Sequence, residues 1–353
     1  MGIRSWLVLE AFMNHAVLAL AAAGFLLLSS GCSAEKPLAG GSHPPVTLSS
    51  WVVSWDRDRG IKEYEEMAGL WDGISLFAAD FDEKGNLHFP KELENLRPKG
   101  QMPLYLTIVN DRILSGGKTV EKDREIVAEK LKTEESRYRH VKDIIALAKE
   151  KQVDGIEVDY EKIGQDRELM NRFCDFTRML DLEARAAHLK VRIILEPSMP
   201  MDLPYSEGPE YVVMMYNLYG THSGPGPKAD RKFIEKTLKK MESLPGRKGA
   251  AFSTGGCLWQ DSHLFGLLGG KKKYITENEA IRLAEAHHAA VERDPESAAL
   301  HFSYKEGGSS YDVWYGDRET MDAWMTLAAN RGVSSVSLWR LGGNRDMKDL
   351  RKE

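Results

Sequence analysis

Val153-Asp154-Gly155-Ile156-Glu157-Val158-Asp159-Tyr160-Glu161 alternates apolar and acidic side chains with a period of two. Successive side chains of a β-strand point to opposite faces, so Ile156, Val158 and Tyr160 share one face while Glu157, Asp159 and Glu161 share the other. The acids then stand about 6 to 7 Å apart at their Cα atoms. A solvated edge strand carries such a face without difficulty, whereas a closed barrel buries it at a cost unless the acids share protons or meet counter-charges. The flanking sequence decides between the two.

On both sides of this stretch, short β-branched runs alternate with longer amphipathic segments, the pattern of a parallel sheet wrapped by helices. Strands are expected at 47–55, 73–78, 102–109, 153–159, 191–196, 211–216, 249–253 and 333–339, and helical patterns at 138–151, 167–188, 231–243 and 318–331. In the first helix, Val141, Ile144, Ile145 and Ala148 recur at helical spacing. Eight strand-plus-connection units fit a TIM (β/α)8 barrel, which takes about 250 residues plus insertions. An open doubly wound sheet is the alternative, and no Gly-rich dinucleotide fingerprint follows the first strand. Residues 258–315 are too many for a simple connection between strands seven and eight. They hold a helical stretch at 277–293 and two alternating runs, 298–304 and 311–315, around Gly307-Gly308, which reads as a small α+β insertion of one helix and one hairpin.

The 48 basic and 53 acidic residues leave a net charge of −5, and no run of Lys and Arg marks a nucleic-acid partner. The 42% hydrophobic content is ordinary for a globular chain. Ala16 to Leu28 is a nearly uninterrupted apolar run ending in Ser29-Ser30-Gly31-Cys32. It is shorter than the roughly 20 residues a membrane-spanning helix needs, and it suits the hydrophobic region of an export signal. Leu28 to Cys32 resembles the bacterial lipobox, with Ser29 where Leu is usual, so Cys32 is the expected lipidation site and a membrane the expected partner at the N-terminus. Residues 33–45, rich in Gly and Pro, read as a flexible tether. The two other cysteines, Cys174 and Cys257, imply no disulfide framework. His287 and His288 are adjacent on a helix and face different directions, so neither a metal nor any other cofactor is expected.

Asp154-Gly155-Ile156-Glu157-Val158-Asp159-Tyr160-Glu161 resembles the D-G-x-D-x-D-x-E signature of glycoside hydrolase family 18, the chitinases and related N-acetylglucosaminidases. Met214-Met215-Tyr216-Asn217 is similar to that family's M-x-Y-[DN] on the sixth strand, and Ser337-Leu338-Trp339-Arg340 to its eighth strand. Tyr311 to Tyr315 looks like the late region of cell-wall and spore-cortex members. The chain departs at Glu157, where Asp is usual, and at Tyr160, where true chitinases often have Trp. A further departure is Thr107 to Asp111, which stands in place of an S-x-G-G stretch.

The resemblance implies catalysis by Glu161, Asp159, Glu157 and Tyr216, with substrate contacts from Trp339, Met214 and Asn217, on a glycan containing N-acetylglucosamine. It also implies substrate-assisted retention, in which Glu161 protonates the leaving oxygen and the sugar's acetamido oxygen attacks the anomeric carbon. Crowded inward carboxylates independently favour one raised pKa, as a general acid requires. A catalytically silent sugar-binding protein on the same barrel is the rival reading, and the presence of Glu161 weighs against it. The expected organisation is a signal peptide at 1–31, a lipoprotein tether at 32–45, a catalytic barrel at 46–345 and a C-terminal tail at 346–353. Export to a bacterial cell envelope follows from the leader, and the oligomeric state is left open.

Overall fold

The computed structural model describes residues 36–94, 96, 102–261 and 270–353. Eight parallel strands close on themselves: β1 (Thr47–Val53), β2 (Gly73–Phe81), β4 (Leu104–Ile113), β6 (Gly155–Asp159), β7 (Lys190–Leu195), β8 (Glu210–Met214), β9 (Lys248–Ser253) and β15 (Ser335–Trp339). β2 pairs with β1 on one side and β4 on the other, and β1 meets β15 in the register Thr47↔Ser335, so no edge is left between first and last strands. This is the expected TIM barrel. Two-residue strands β3 (Leu87–His88) and β5 (Thr119–Val120) extend β2 and β4 as antiparallel hairpins.

Helices α1 (Arg57–Glu66), α2 (Arg124–Lys130), α3 (Glu134–Glu150), α4 (Arg167–Ala186), α5 (Arg231–Met241) and α7 (Arg318–Ala329) wrap the barrel. Among the described residues, the connections after β2 and β7 carry no α-helix. In α4 the Asp166 side chain accepts from Leu169 N at 2.9 Å, capping one of the orphan donors of the first turn. From there Leu169, Met170, Phe173, Phe176, Leu180 and Ala184 recur at helical spacing and are all buried. They pack in the same apolar cluster as Ile156, Val158 and Tyr160 of the β6 region. Tyr160, fully buried, meets its polar need through His140 Nε2 of α3 at 2.6 Å. The apolar face of the opening stretch thus points outward to the helices. Gly155 lies on the opposite face, where a Cβ would sit 2.4 Å from the Tyr105 ring, so the absent side chain makes room for an aromatic plug.

Between β9 and β15 lies the insertion: β10 (Gly255–Asp261), β11 (Lys272–Ile275), α6 (Glu277–Ala286), β12 (Glu292–Arg293), β13 (Leu300–Glu306) and β14 (Ser309–Gly316). Its five strands form one antiparallel sheet, in the order β11-β10-β14-β13-β12, with a small apolar cluster that includes Leu258, Ile275, Ala284, Phe302 and Val313. The expected hairpin is β13–β14, turning through Gly307 and Gly308 at positive φ. The sheet is larger than one hairpin because the Gly-rich run after β9 continues directly as β10. The helix expected at 277–293 ends at Ala286, and the chain leaves it through His288 at φ 47°.

The chain divides after Pro37, and Leu38–Glu353 forms one unit. The segment read as a flexible tether to Pro45 is in its second half packed structure. Leu38 is buried and donates to Pro295 O at 2.8 Å, and Gly41 N donates to Thr326 Oγ1 at 3.0 Å. The segment read as a C-terminal tail is likewise docked, with Leu350 buried and Lys352 Nζ 2.9 Å from Asp72 Oδ2. Residues 1–31 and Cys32 lie outside the described residues. No helix among the described residues is long and apolar enough to cross a membrane. Cys174 and Cys257 are both buried free thiols.

Candidate active site

β6 sends Glu157 and Asp159 into the barrel, and the chain just beyond the strand brings Glu161 to its mouth. Asp159, Glu161, Met214, Tyr216, Asn217 and Trp339 all line one cleft of about 660 Å³ at the C-terminal end of the strands, where barrel enzymes build their sites. Glu157 is not part of that wall. It lies one layer deeper, fully buried, and its carboxylate accepts from Trp51 Nε1 at 2.8 Å, Ser75 Oγ at 2.8 Å and Thr107 Oγ1 at 2.7 Å. The Arg192 guanidinium completes the set as an ion pair and reaches Glu210 at 3.4 Å. Among the described residues no hydrogen bond joins Glu157 to Asp159. The acceptor positions of Glu157 are taken by four donors from β1, β2, β4 and β7, and its charge helps to raise the pKa of Asp159.

Asp159 is buried, and its Oδ1 has no hydrogen-bond partner among the described residues. Burial, reinforced by the negative charges of Glu161 and Glu157, holds its pKa well above the ordinary carboxyl range, with Lys122 opposing. Burial also raises the pKa of Glu161. Against that, Lys122 Nζ sits 2.5 Å from Glu161 Oε2 and favours the charged form. The backbone of Glu161 is clamped from both sides by the buried Asn110: Glu161 N donates to Asn110 Oδ1 at 2.9 Å, and Asn110 Nδ2 donates to Glu161 O at 3.0 Å. Such a clamp fixes the carboxyl's origin outside the regular ladder. Tyr216 is half-buried, and its phenol is pushed up by burial and by Asp159 and Glu161.

Trp339 packs its ring edge-on to Phe77 at 4.8 Å and tilted to Trp51 at 5.9 Å, over a layer containing Met214, Ile194 and Ala251. It leaves an apolar floor beside the two acids. The peptide between Trp339 and Arg340 is cis. The following loop is held by α1: Glu63 accepts from the N–H groups of Gly342, Gly343 and Asn344, and Arg340 meets Asp56 at 2.6 Å. A second depression of about 410 Å³ shares Trp55, Phe77 and Asp111 with the cleft, and Trp55 is 65% exposed there. Sequence reading missed Trp51, Trp55, Lys122, Arg192 and Lys228, and it left Asn110 without a role. An Arg at an inward position of a buried strand was the one available signal, pointing to a buried ion pair. Lys122 and Lys228 come from connections, where side-chain direction has no period to read.

Fold and site together define a TIM barrel whose mouth holds a buried and a half-buried carboxylate beside an aromatic floor. No family model matches the chain. The cortical fragment-lytic enzyme of Bacillus anthracis is 22% identical over 293 residues, 76% of this chain and 64% of the relative, and that of Bacillus cereus is 22% identical over 292. The chain therefore spans somewhat less than two thirds of the curated relatives it matches. Among solved structures, the spore cortex-lytic enzyme SleL of Bacillus cereus superposes with a TM-score of 0.72 at 17% identity, covering 87% of this chain and 73% of that one. A chitinase from Chromobacterium violaceum gives 0.72 at 17% identity, covering 86% and 96%. These structural likenesses establish the barrel fold.

Proposed function

We propose that the chain is a retaining glycoside hydrolase that cleaves a β-linked glycan containing N-acetylglucosamine by substrate-assisted catalysis. The observation that carries this reading is the unpartnered Asp159 Oδ1, buried beside Glu161 in a cleft floored by Trp339. A buried acceptor without a donor is costly in an empty site and is satisfied by a ligand N–H such as that of an acetamido group. In this mechanism Glu161 donates its proton to the leaving glycosidic oxygen, and Asp159 orients the acetamido group as its oxygen attacks the anomeric carbon. Asp159 then stabilises the oxazolinium cation, while Tyr216 donates a hydrogen bond to the acetamido side. Glu161, now ionised, takes a proton from the incoming water. Glu157 acts through Asp159 and not on the sugar. The shared boundary of the two depressions at the exposed Trp55 supports a polymer rather than a monosaccharide as substrate.

Peptidoglycan and chitin both fit this description, and the relatives named for cortical fragments weigh toward a cell-wall glycan. We further propose export, with residues 1–31 as the signal and Cys32 carrying the lipid, on the strength of the sequence.

The test is Glu161→Gln and Asp159→Asn. Gln keeps the shape of Glu but has no proton to give the leaving oxygen, so turnover should fall by about 10² to 10⁴, roughly 3 to 5 kcal/mol. Asp159→Asn should lose a comparable amount, and calorimetry should show that both variants still bind an N-acetylglucosamine oligomer. Undiminished cleavage by Glu161→Gln would remove Glu161 from the role. A parent chain that binds such oligomers and cleaves none of them is a lectin.

A further inference from the structure

Lys228 lies in the connection between β8 and α5, lines the same cleft as Asp159 and Glu161, and is only 6% exposed. Its ammonium has only neutral company: Asn217 Oδ1 at 3.2 Å, the Cys257 thiol, and the Tyr274 ring, whose centroid is 4.2 Å from Nζ. No carboxylate of the described residues opposes it, in contrast to Lys122, which meets Glu161, and Arg192, which meets two acids. Burial accordingly pushes its pKa down.

The position is built and held. Leu218 N donates to Lys228 O at 2.9 Å. Trp259 Nε1 reaches both Gly220 O and Ser223 O at 3.1 Å, tying the loop to the insertion sheet. A Cβ at Gly226 would sit 2.4 Å from the Tyr219 ring, so the chain packs tightly immediately before Lys228.

A buried ammonium without a counter-ion is expensive, and it becomes favourable when a ligand brings the anion into the same desolvated space. We propose that Lys228, with Asn217 and Tyr274, is a subsite for a carboxylate carried by the glycan. The substrate class is then an acidic N-acetylglucosamine polymer, such as one bearing lactyl ethers, rather than a neutral homopolymer. This rests on the glycosidase reading of the cleft and adds the charge of its substrate. The carboxylate comes either from the sugar's own substituent or from a peptide attached to it. Both sources offer the same group to Lys228.

The experiment compares the full chain with Lys228→Met and Lys228→Arg on three oligomers: one with free lactyl carboxylates, one with the same carboxylates amidated, and one with short acidic peptides on the lactyl groups. The parent should favour a carboxylated form over the amidated one by about tenfold or more in kcat/KM, the reach of one charge-assisted hydrogen bond. That ratio should fall toward one in Lys228→Met, persist in Lys228→Arg, and shrink with added salt. Whichever acidic oligomer shows the preference identifies the source. A parent ratio near one overturns the proposal, as does a Lys228→Met chain that slows on all three oligomers with the ratio intact, which is a structural role. The same ratios are read as dissociation constants in the Glu161→Gln background. If the parent cleaves nothing, the glycosidase reading fails, and these binding ratios still decide the role of Lys228.

Discussion

Glu157 carries one methylene more than the Asp of the pattern it resembles, and that reach brings it to four donors on four other strands. Removing its charge leaves Arg192 in the barrel interior with Glu210 as its remaining carboxylate. Glu157→Gln should therefore destabilise the fold by about 3 to 5 kcal/mol, a fall on the order of 10 °C in Tm. The same change removes a negative neighbour of Asp159, so the Asp159 pKa should move down, toward its ordinary value. Carboxyl-carbon NMR titration reads that shift, and an unmoved Asp159 together with an unmoved Tm would sink this account. The pair Asp159 and Glu161 was legible in the sequence because a period of two is a local property. The partners of Glu157 were not, because the register of a closed sheet across Trp51, Ser75, Thr107 and Arg192 is written in no single segment.

At the scale of elements, the insertion docks onto the loop after β15 through the first turn of α6. Asn278 N donates to Gly343 O at 3.0 Å, and Glu277 accepts from Arg345 N at 3.0 Å. Glu277 is 3% exposed, and burial raises its pKa from 4.5 to about 7. Its folded state holds the proton more tightly than the unfolded chain does. The associated stability is thus complete below about pH 4.5, falls as pH rises to about 7, and is flat beyond. Glu277→Gln removes the slope. It should raise Tm above pH 7, by up to roughly 3 kcal/mol in stability, and match the parent near pH 4. Melting curves across that range decide the matter, and a constant offset at every pH would dismiss the titration. The eight strands and four of the flanking helices, α3, α4, α5 and α7, were readable from hydrophobic period, while the shorter α1 and α2 were not. The five-stranded extent of the insertion was not, because Gly255 and Gly256 look like a loop until β14 is seen pairing with them.

For the molecule as a whole, the domain limits were the least legible feature. Residues 38–45 have the composition of a linker, yet Leu38, His43 and Val46 are buried, and burial of isolated apolar residues in a Gly/Pro-rich run leaves no periodic trace. The proposed anchor precedes this segment. Cys32→Ser should move the protein from the membrane fraction to the soluble fraction, since a single thiol would carry the lipid. Fractionation of cells producing parent and variant gives the answer, and identical partitioning would discard the lipid at Cys32.

The seam between β1 and β15 joins residues 288 positions apart, Ser49 Oγ to Ser337 Oγ at 2.8 Å and Ser50 Oγ to Leu338 O at 2.7 Å. Contacts that distant in the chain form late, after nearly all of the loop-closure entropy has been spent. The two acids at the end of β6 lie mid-chain, while the aromatic floor they need is the last residue of β15. During synthesis the cleft lined by Asp159, Glu161 and Trp339 can therefore close only once β15 has arrived, and until then β1 and β9 lack that strand as a partner. A chain caught before that closure exposes unpaired strand edges, and it is most vulnerable to aggregation in that interval.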